Sequence, residues 1–280
     1  MTMTIMTITR HYSPSQVAPY INWGYFFHAW QLSFSDHDEG QRDVRRELRA
    51  DAEELLQLWT AEGRQTHFRL RLLDACSDGE DILFPSLDKR LPLLRQQHPG
   101  EDGYCLCLAD FVRPRTLCAQ DGWDKVGVFV STVDAELERQ FADDDYRHLL
   151  AQTLADRLAE ATAERGHEQT RREWWGYAPD EKLTPDEMFA ERYVGKRPAV
   201  GYPSLPDQSL NFLLDDLLDF SAVGVSLTEN GAMMPHASTS GLMLSHPMTR
   251  HFRVGTIGED QLIDYARRRG VEPAWISRFL

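Results

Sequence analysis

From Glu191 to Ser204 the chain reads E-R-Y-V-G-K-R-P-A-V-G-Y-P-S, a composition that no helix interior tolerates. Pro198 and Pro203 lack an amide donor, fix φ, and push the residue before them towards extended geometry. Gly195 and Gly201 open backbone conformations where other residues clash. The stretch should therefore be an ordered, extended loop with free amides and carbonyls, one guanidinium (Arg197) and one aromatic face (Tyr202). Such a loop suits a polar small molecule with a flat ring and a carboxylate. It equally suits a rigid connector between two helical regions.

The rest of the chain has to be read around that loop. At 280 residues it can form one large domain or two small ones. With 44 acidic against 30 basic residues the formal charge is −14, a poor basis for binding nucleic acid or an anionic membrane. The arginine clusters at Arg42/Arg45/Arg46/Arg49, Arg171/Arg172 and Arg267/Arg268/Arg269 lie in helix-like stretches with interspersed acids, and read as solvated faces. Cys76, Cys105, Cys107 and Cys118 contain no Cys-x-x-Cys pair, so reduced thiols are expected and a zinc site is not. The opening M-T-M-T-I-M-T-I-T-R is too short and polar for a secretory signal, and no apolar run approaches membrane-spanning length. A cytoplasmic protein is expected.

Residues 1–20 carry Ser-Pro and Ala-Pro steps and suit an irregular arm, with 1–19 set apart from a domain over 20–280. The aromatic run from Tyr20 to Trp30 suits a buried anchor, and Asn22 within it must find a partner or face a cleft. Residues 38–63 have helical spacing, ending at Gly63. His67–Ala75 and Asp81–Pro85 read as a hairpin around Asp78-Gly79, followed by irregular chain over 86–103. Further strands are predicted at Tyr104–Val112, Lys125–Ser131, Gly241–Ser245 and Phe252–Ile257, and a small hairpin about Asn230-Gly231. Helices are predicted over 134–175, with a break near Asp143–Asp145, and over 208–220, 260–269 and 273–280. Another starts with Thr184 as N-cap, Pro185 at N1 and Glu187 at N3, and leads to Glu191 and Tyr193. Segregated strands and helices imply an α+β fold, a single domain with a mostly antiparallel sheet.

No Gly-x-Gly-x-x-Gly turn, Walker loop, Gly-x-Ser-x-Gly elbow or His-Glu-x-x-His helix is present. The acids Asp156, Glu160 and Glu191 could form an acid–base pair, or simply face solvent. Residue chemistry alone supplies a ligand loop and no reaction.

Ordered motifs add more. A-D-R-L-A-E-A (155–161), W-G-Y-A-P-D-E (175–181), E-R-Y-V-G-K-R-P-A-V-G-Y-P (191–203), L-T-E-N (227–230), S-H-P (245–247) and D-Y-A-R-R-R-G (264–270) occur in one order. With Y-I-N-W-G-Y-F-F (20–27) and L-A-D-F-V (108–112), the chain resembles the C-terminal activation domain of cobalamin-dependent methionine synthase over nearly its whole length. That resemblance implies a twisted antiparallel sheet flanked by helices, with S-adenosylmethionine in a shallow groove against the loop Arg197–Tyr202. It implies Arg197 on the ligand carboxylate, backbone around Ala199, Gly201 and Tyr202 on adenine and ribose, Glu160 and Glu191 near the sulfonium, and His251-Phe252 as an aromatic wall. A guanidinium suits a bidentate carboxylate, and acidic or aromatic groups suit a sulfonium. Two positions depart from the family pattern: Asn22 stands where the family carries an aspartate expected at the ligand ammonium, and His251 replaces a tyrosine.

By the same resemblance, no residue here is catalytic, and the chain belongs to a methyltransferase system without being a complete enzyme. The homocysteine, folate and cobalamin modules are missing, and Met1 with unrelated first residues suggests a free-standing protein. The implied role is reductive remethylation of cob(II)alamin on a methionine synthase. The implied partners are a cobalamin-binding module and a flavodoxin-like reductant, with no nucleic acid and no membrane. Alternatives are a non-catalytic S-adenosylmethionine sensor or scaffold, or service to another corrinoid protein.

Overall fold

The computed structural model describes residues 5–33, 39–100 and 103–280. The first four residues, Asp38 at the expected start of a helix, and Glu101-Asp102 lie outside the described residues. In chain order the elements are β1 (Ile5–Tyr12), α1 (Pro14–Val17), α2 (Trp23–Ala29), α3 (Arg42–Ala61), β2 (Thr66–Asp78), β3 (Asp81–Phe84) and β4 (Lys89–Pro92). Next come α4 (Arg115–Asp121), β5 (Asp124–Val133), α5 (Asp145–Gln169), α6 (Pro185–Phe189) and α7 (Leu210–Leu218). The chain closes with β6 (Ser226–Leu227), β7 (Met233–Met234), β8 (Ser238–Met243), α8 (Glu259–Arg269) and α9 (Pro273–Ile276).

One antiparallel sheet runs in the order β4-β3-β2-β5-β8, and the expected α+β class is what the chain adopts. β2 is its axis. Thr66–Leu73 pair with β1, Cys76–Asp78 pair with β3, and Thr66–Ala75 pair with β5 on the opposite side. Side chains alternate across the sheet, so each face builds its own core. Phe68, Leu70, Leu72, Phe129 and Met243 pack with α2, α3 and α5. Leu73, Ala75, Val126, Val128, Val130 and Leu242 pack with α7 on the other face.

α5 lies across the first face and is buried along much of its length, with Leu150, Leu154, Leu158 and the alanines 151, 155, 159 and 163 inward. Asp144 caps its start by accepting from the Arg147 amide at 3.0 Å, which is the break expected near Asp143–Asp145. At Gly166 a Cβ would sit 2.5 Å from the Phe68 ring, so only glycine lets the helix this close. α5 then passes into one π-helical turn, Thr170–Trp174, which carries Arg171. Arg171 is fully buried and pairs with Glu181 at 2.6 Å.

Several local expectations are corrected. Within the expected irregular arm, Ile5–Tyr12 form a full strand on β2. Its alternating Thr and apolar residues read as polar because one side of an edge strand faces water. β4 and α4 arise in chain expected to be irregular or a turn. Tyr104–Val112 is no strand but a loop with a 3-10 turn at Leu108–Phe111. Arg95 organises it, donating to the Cys105 carbonyl and to both oxygens of Asp110 at 2.7 Å. Residues 252–257 carry no strand either; Val254 is held by its amide donating to the Pro203 carbonyl at 2.9 Å. Among the described residues, no helix is long and apolar enough to cross a membrane.

Candidate functional site

The loop that follows α6 does not hang free. Lys196 and Leu244 exchange both backbone hydrogen bonds (2.9 and 3.0 Å), the Leu242 amide donates to the Pro198 carbonyl at 2.9 Å, and the Val200 amide donates to the Ser240 carbonyl at 2.9 Å. Residues 196–200 therefore run antiparallel along β8 as an extra strand, broken into isolated bridges because Pro198 has no amide to return. The expectation of free amides is thus corrected: the Gly201 amide donates to Leu205 O and the Tyr202 amide to Ala199 O. The Ala199 amide is left without a hydrogen bond among the described residues. Gly241 makes the close docking possible, since a Cβ there would lie 2.2 Å from Pro198 O and 2.8 Å from Ala199 Cα.

Docked this way, the loop forms one wall of a cleft of about 570 Å³. α5 supplies the floor: Arg157, Glu160 and Glu164 fall on one helix face at i, i+3 and i+7. The turn into α2 supplies Tyr20, Asn22 and Tyr25, and the 251–253 segment closes the far side. The expected residues Asn22, Glu160, Glu191, Arg197, Ala199, Tyr202, His251 and Phe252 all line this cleft; Gly201 does not. Gly201 instead shapes the loop, at φ +87°.

Arg197 is the centre. Its guanidinium lies over the Phe129 ring (5.5 Å), with Nη2 3.3 Å from Glu164 Oε2 and Nη1 3.9 Å from Glu160 Oε2. Burial pushes its proton affinity down, but Glu164 and Glu160 more than offset this and hold it above the ordinary arginine value. Glu164 is the residue the sequence reading missed. Burial pushes its carboxyl up from the ordinary range, against the pull of Arg197. Arg197 Nε and Glu164 Oε1 are buried without hydrogen-bond partners, leaving one donor and one acceptor beside the cleft. The available signal was spacing: Glu164 stands one turn beyond Glu160 on the same face.

Two further acids face the cleft. Glu160 Oε1 accepts from the Tyr202 hydroxyl at 3.2 Å, and its charge, with burial, pushes that phenol up to about 12. Glu191 sits at φ +52°, a left-handed backbone costing about 1 kcal/mol in a residue with a Cβ. Lys196 Nζ donates to its carbonyl at 2.9 Å and lies 3.6 Å from Oε2, while His251 Nε2 is 3.2 Å from Oε1. Burial opposes ionisation of Glu191, but the hydrogen bond and charge from His251, with Lys196 and Arg197, hold its carboxyl below the ordinary range.

Asn22 is the N-cap of α2. Its Oδ1 accepts from the amides of Gly24 (3.1 Å) and Tyr25 (3.4 Å), so the cleft-lining side chain has only its Nδ2 amide uncommitted among the described residues. Behind the cleft, His167 is fully buried, its ring edge-on to Tyr193 at 4.9 Å. Burial, then the neighbouring Arg171 and Arg197 charges, hold it neutral, well below the ordinary histidine range.

The arrangement offers three guanidiniums (Arg157, Arg197 and Arg253), three carboxylates, flat aromatic walls and a backbone amide in a single cleft. The volume lies within the ~300–1,000 Å³ of small-molecule sites. No nucleophile is paired with a base among the described residues that line the cleft. Among the described residues, no cluster of three or more His, Cys, Asp or Glu could hold a metal ion.

Comparison with known proteins gives concordant results. The family described as "Vitamin B12 dependent methionine synthase, activation domain" matches residues 14–270. The crystal structure of the MetH reactivation domain bound to AdoHcy is similar at a TM-score of 0.91 and 35% identity, covering 98% of this chain and 89% of that one.

Proposed function

The chain belongs to the activation-domain family of vitamin B12 dependent methionine synthases, and from that membership we propose that its cleft binds S-adenosylmethionine for reductive remethylation of cob(II)alamin on a methionine synthase. The observation that carries the reading is Arg197 held among Glu160, Glu164 and Glu191 in one cleft. A zwitterionic amino acid that also bears a sulfonium asks for that combination. The guanidinium takes the carboxylate, and the acids take the positive sulfur. The related MetH domain holds AdoHcy, which is what S-adenosylmethionine becomes on losing its methyl group.

A corrinoid carried by a partner module would supply the cobalt nucleophile for the methyl group, with its electron from a flavodoxin-like donor, while the residues of this chain hold the methyl donor. The side chains of this chain bind and aim. Glu160 and Glu191 stabilise a cation that disappears as the methyl group leaves, so they favour the bound reactant over its transition state. Their contribution is therefore affinity and position rather than rate. Arg197, held against Phe129 and Glu164, is placed to fix the amino-acid end of the ligand.

Asn22 favours a second reading. Its carbonyl oxygen is used in capping α2 and offers no charge to the ligand ammonium, as suits a domain that binds without transferring methyl groups. Calorimetry with S-adenosylmethionine tests the shared part: saturable binding that is lost in Arg197→Ala is expected, and no binding by the wild type refutes it. Methyl transfer to an added cob(II)alamin protein plus reductant separates the two readings.

A further inference from the structure

Beyond Arg197, the other two acids that face the cleft, Glu160 and Glu191, differ in their partners. Glu160 meets a tyrosine hydroxyl, which stays neutral over the physiological range. Glu191 meets His251 Nε2 at 3.2 Å, and both side chains are part-exposed at the rim, 44% and 39%. Histidine is the side chain whose charge ordinarily changes between pH 5 and 8. A protonated imidazole at this distance gives Glu191 a second ion-pair partner beside Lys196 at 3.6 Å; a neutral one leaves the Oε1 side of the carboxylate to whatever occupies the cleft.

We propose that His251 sets the preference of the cleft between a charged sulfonium ligand and its neutral thioether product, through competition for Glu191. This rests on the reading of the cleft as an S-adenosylmethionine site. With His251 neutral, Glu191 serves the cation and the sulfonium form is favoured. With His251 protonated, Glu191 has the imidazolium as well as Lys196, a further cation in the cleft is repelled, and the thioether gains relative to the sulfonium.

The surroundings do not supply the same effect. Lys196 and Arg197 face Glu191 from the loop and act on it alike whether or not His251 is replaced. Arg250 and Arg253 flank His251 in its own segment. Glu160 faces the cleft from α5 beside Glu164, whose carboxyl burial pushes up. His167 lies behind them, held neutral. Glu164 and the ligand's own amino group can also titrate, but both are unchanged when only His251 is replaced.

The test is calorimetric affinity for S-adenosylmethionine and S-adenosylhomocysteine from pH 5.5 to 8.5, in the wild type and in His251→Gln, which keeps a hydrogen-bonding side chain without a titrating charge. An exposed charge pair is worth up to about fivefold in an equilibrium constant. The ratio of the two affinities, sulfonium over thioether, is expected to rise about three- to fivefold more across this range in the wild type than in His251→Gln. Identical pH profiles in the two proteins overturn the proposal while leaving the ligand site intact. Binding of neither ligand at any pH overturns the site itself, and the proposal with it.

Discussion

Replacing Asn22 by aspartate keeps its helix cap and tests the ligand contact proposed for it. As N-cap of α2, Asn22 gives its Oδ1 to the Gly24 and Tyr25 amides. Asparagine and aspartate cap equally well, so the cap survives the change, and a negative charge at a helix start adds about 0.3–1 kcal/mol of stability at most. The second carboxylate oxygen replaces the Nδ2 amide, an acceptor in place of a donor, in a side chain that lines the cleft. Opposite charges 4 Å apart interact by about 4 kcal/mol at an effective dielectric of 20 and about 1 kcal/mol in water. A cleft open to solvent falls towards the lower figure, and repulsion from Glu160 and Glu191 raises the energy of the empty site. A net gain of about 1–2 kcal/mol for an ammonium ligand follows, or roughly 5- to 30-fold in affinity. Calorimetry at pH 7 should show that gain for S-adenosylmethionine and none for its deaminated analogue, with a thermal midpoint at or slightly above that of the wild type. An equal gain for the analogue, or weaker binding of the parent ligand, would refute the assignment of Asn22 to the ammonium end.

Other parts of the structure make equally definite demands. Arg197→Ala strands Glu164 in the interior, and is expected to cost about 2–3 kcal/mol in urea unfolding, much of it recovered by adding Glu164→Gln. His167 is neutral when folded, whereas in the unfolded chain it takes up a proton near pH 6.5. The unfolded state thus binds more protons as pH falls, so stability is full above about pH 7 and is lost below it, by up to about 1.4 kcal/mol per pH unit. Urea midpoints measured from pH 7 to pH 5 should flatten in His167→Leu. Gly241→Ala forces the loop backbone off β8 and should abolish ligand binding, with about 2–4 kcal/mol of destabilisation in the same assay.

What could be read in the sequence follows from how local its cause was. Thr184, Pro185 and Glu187 form the capping box they spell, with the Thr184 amide donating to Glu187 at 3.0 Å, because every partner lies within one turn. Gly79 and Gly231 turn their hairpins for the same reason. The sheet's outer parts were less legible. β1 depends on β2, some sixty residues away in the chain, and Tyr104–Val112 alternates like a strand but is claimed by Arg95. In the site, the ordered motifs singled out Arg197, Glu160 and Glu191. Glu164 stayed hidden because a glutamate in a long helix looks like solvent decoration until Arg197, 33 positions away, is placed against it. The loop amides were misjudged because nothing in E-R-Y-V-G-K-R-P reveals that Leu244 and Ser240 will take them.

The segment 196–200 also settles a problem unrelated to ligand. Without it, β8 would expose the backbone groups of Ser240, Leu242 and Leu244 along an open margin, a template on which another chain could add a strand and begin to aggregate. The cleft loop is the cover over that margin. Substitutions that loosen the loop should therefore lower solubility along with affinity, and such variants should be recovered preferentially in the insoluble fraction.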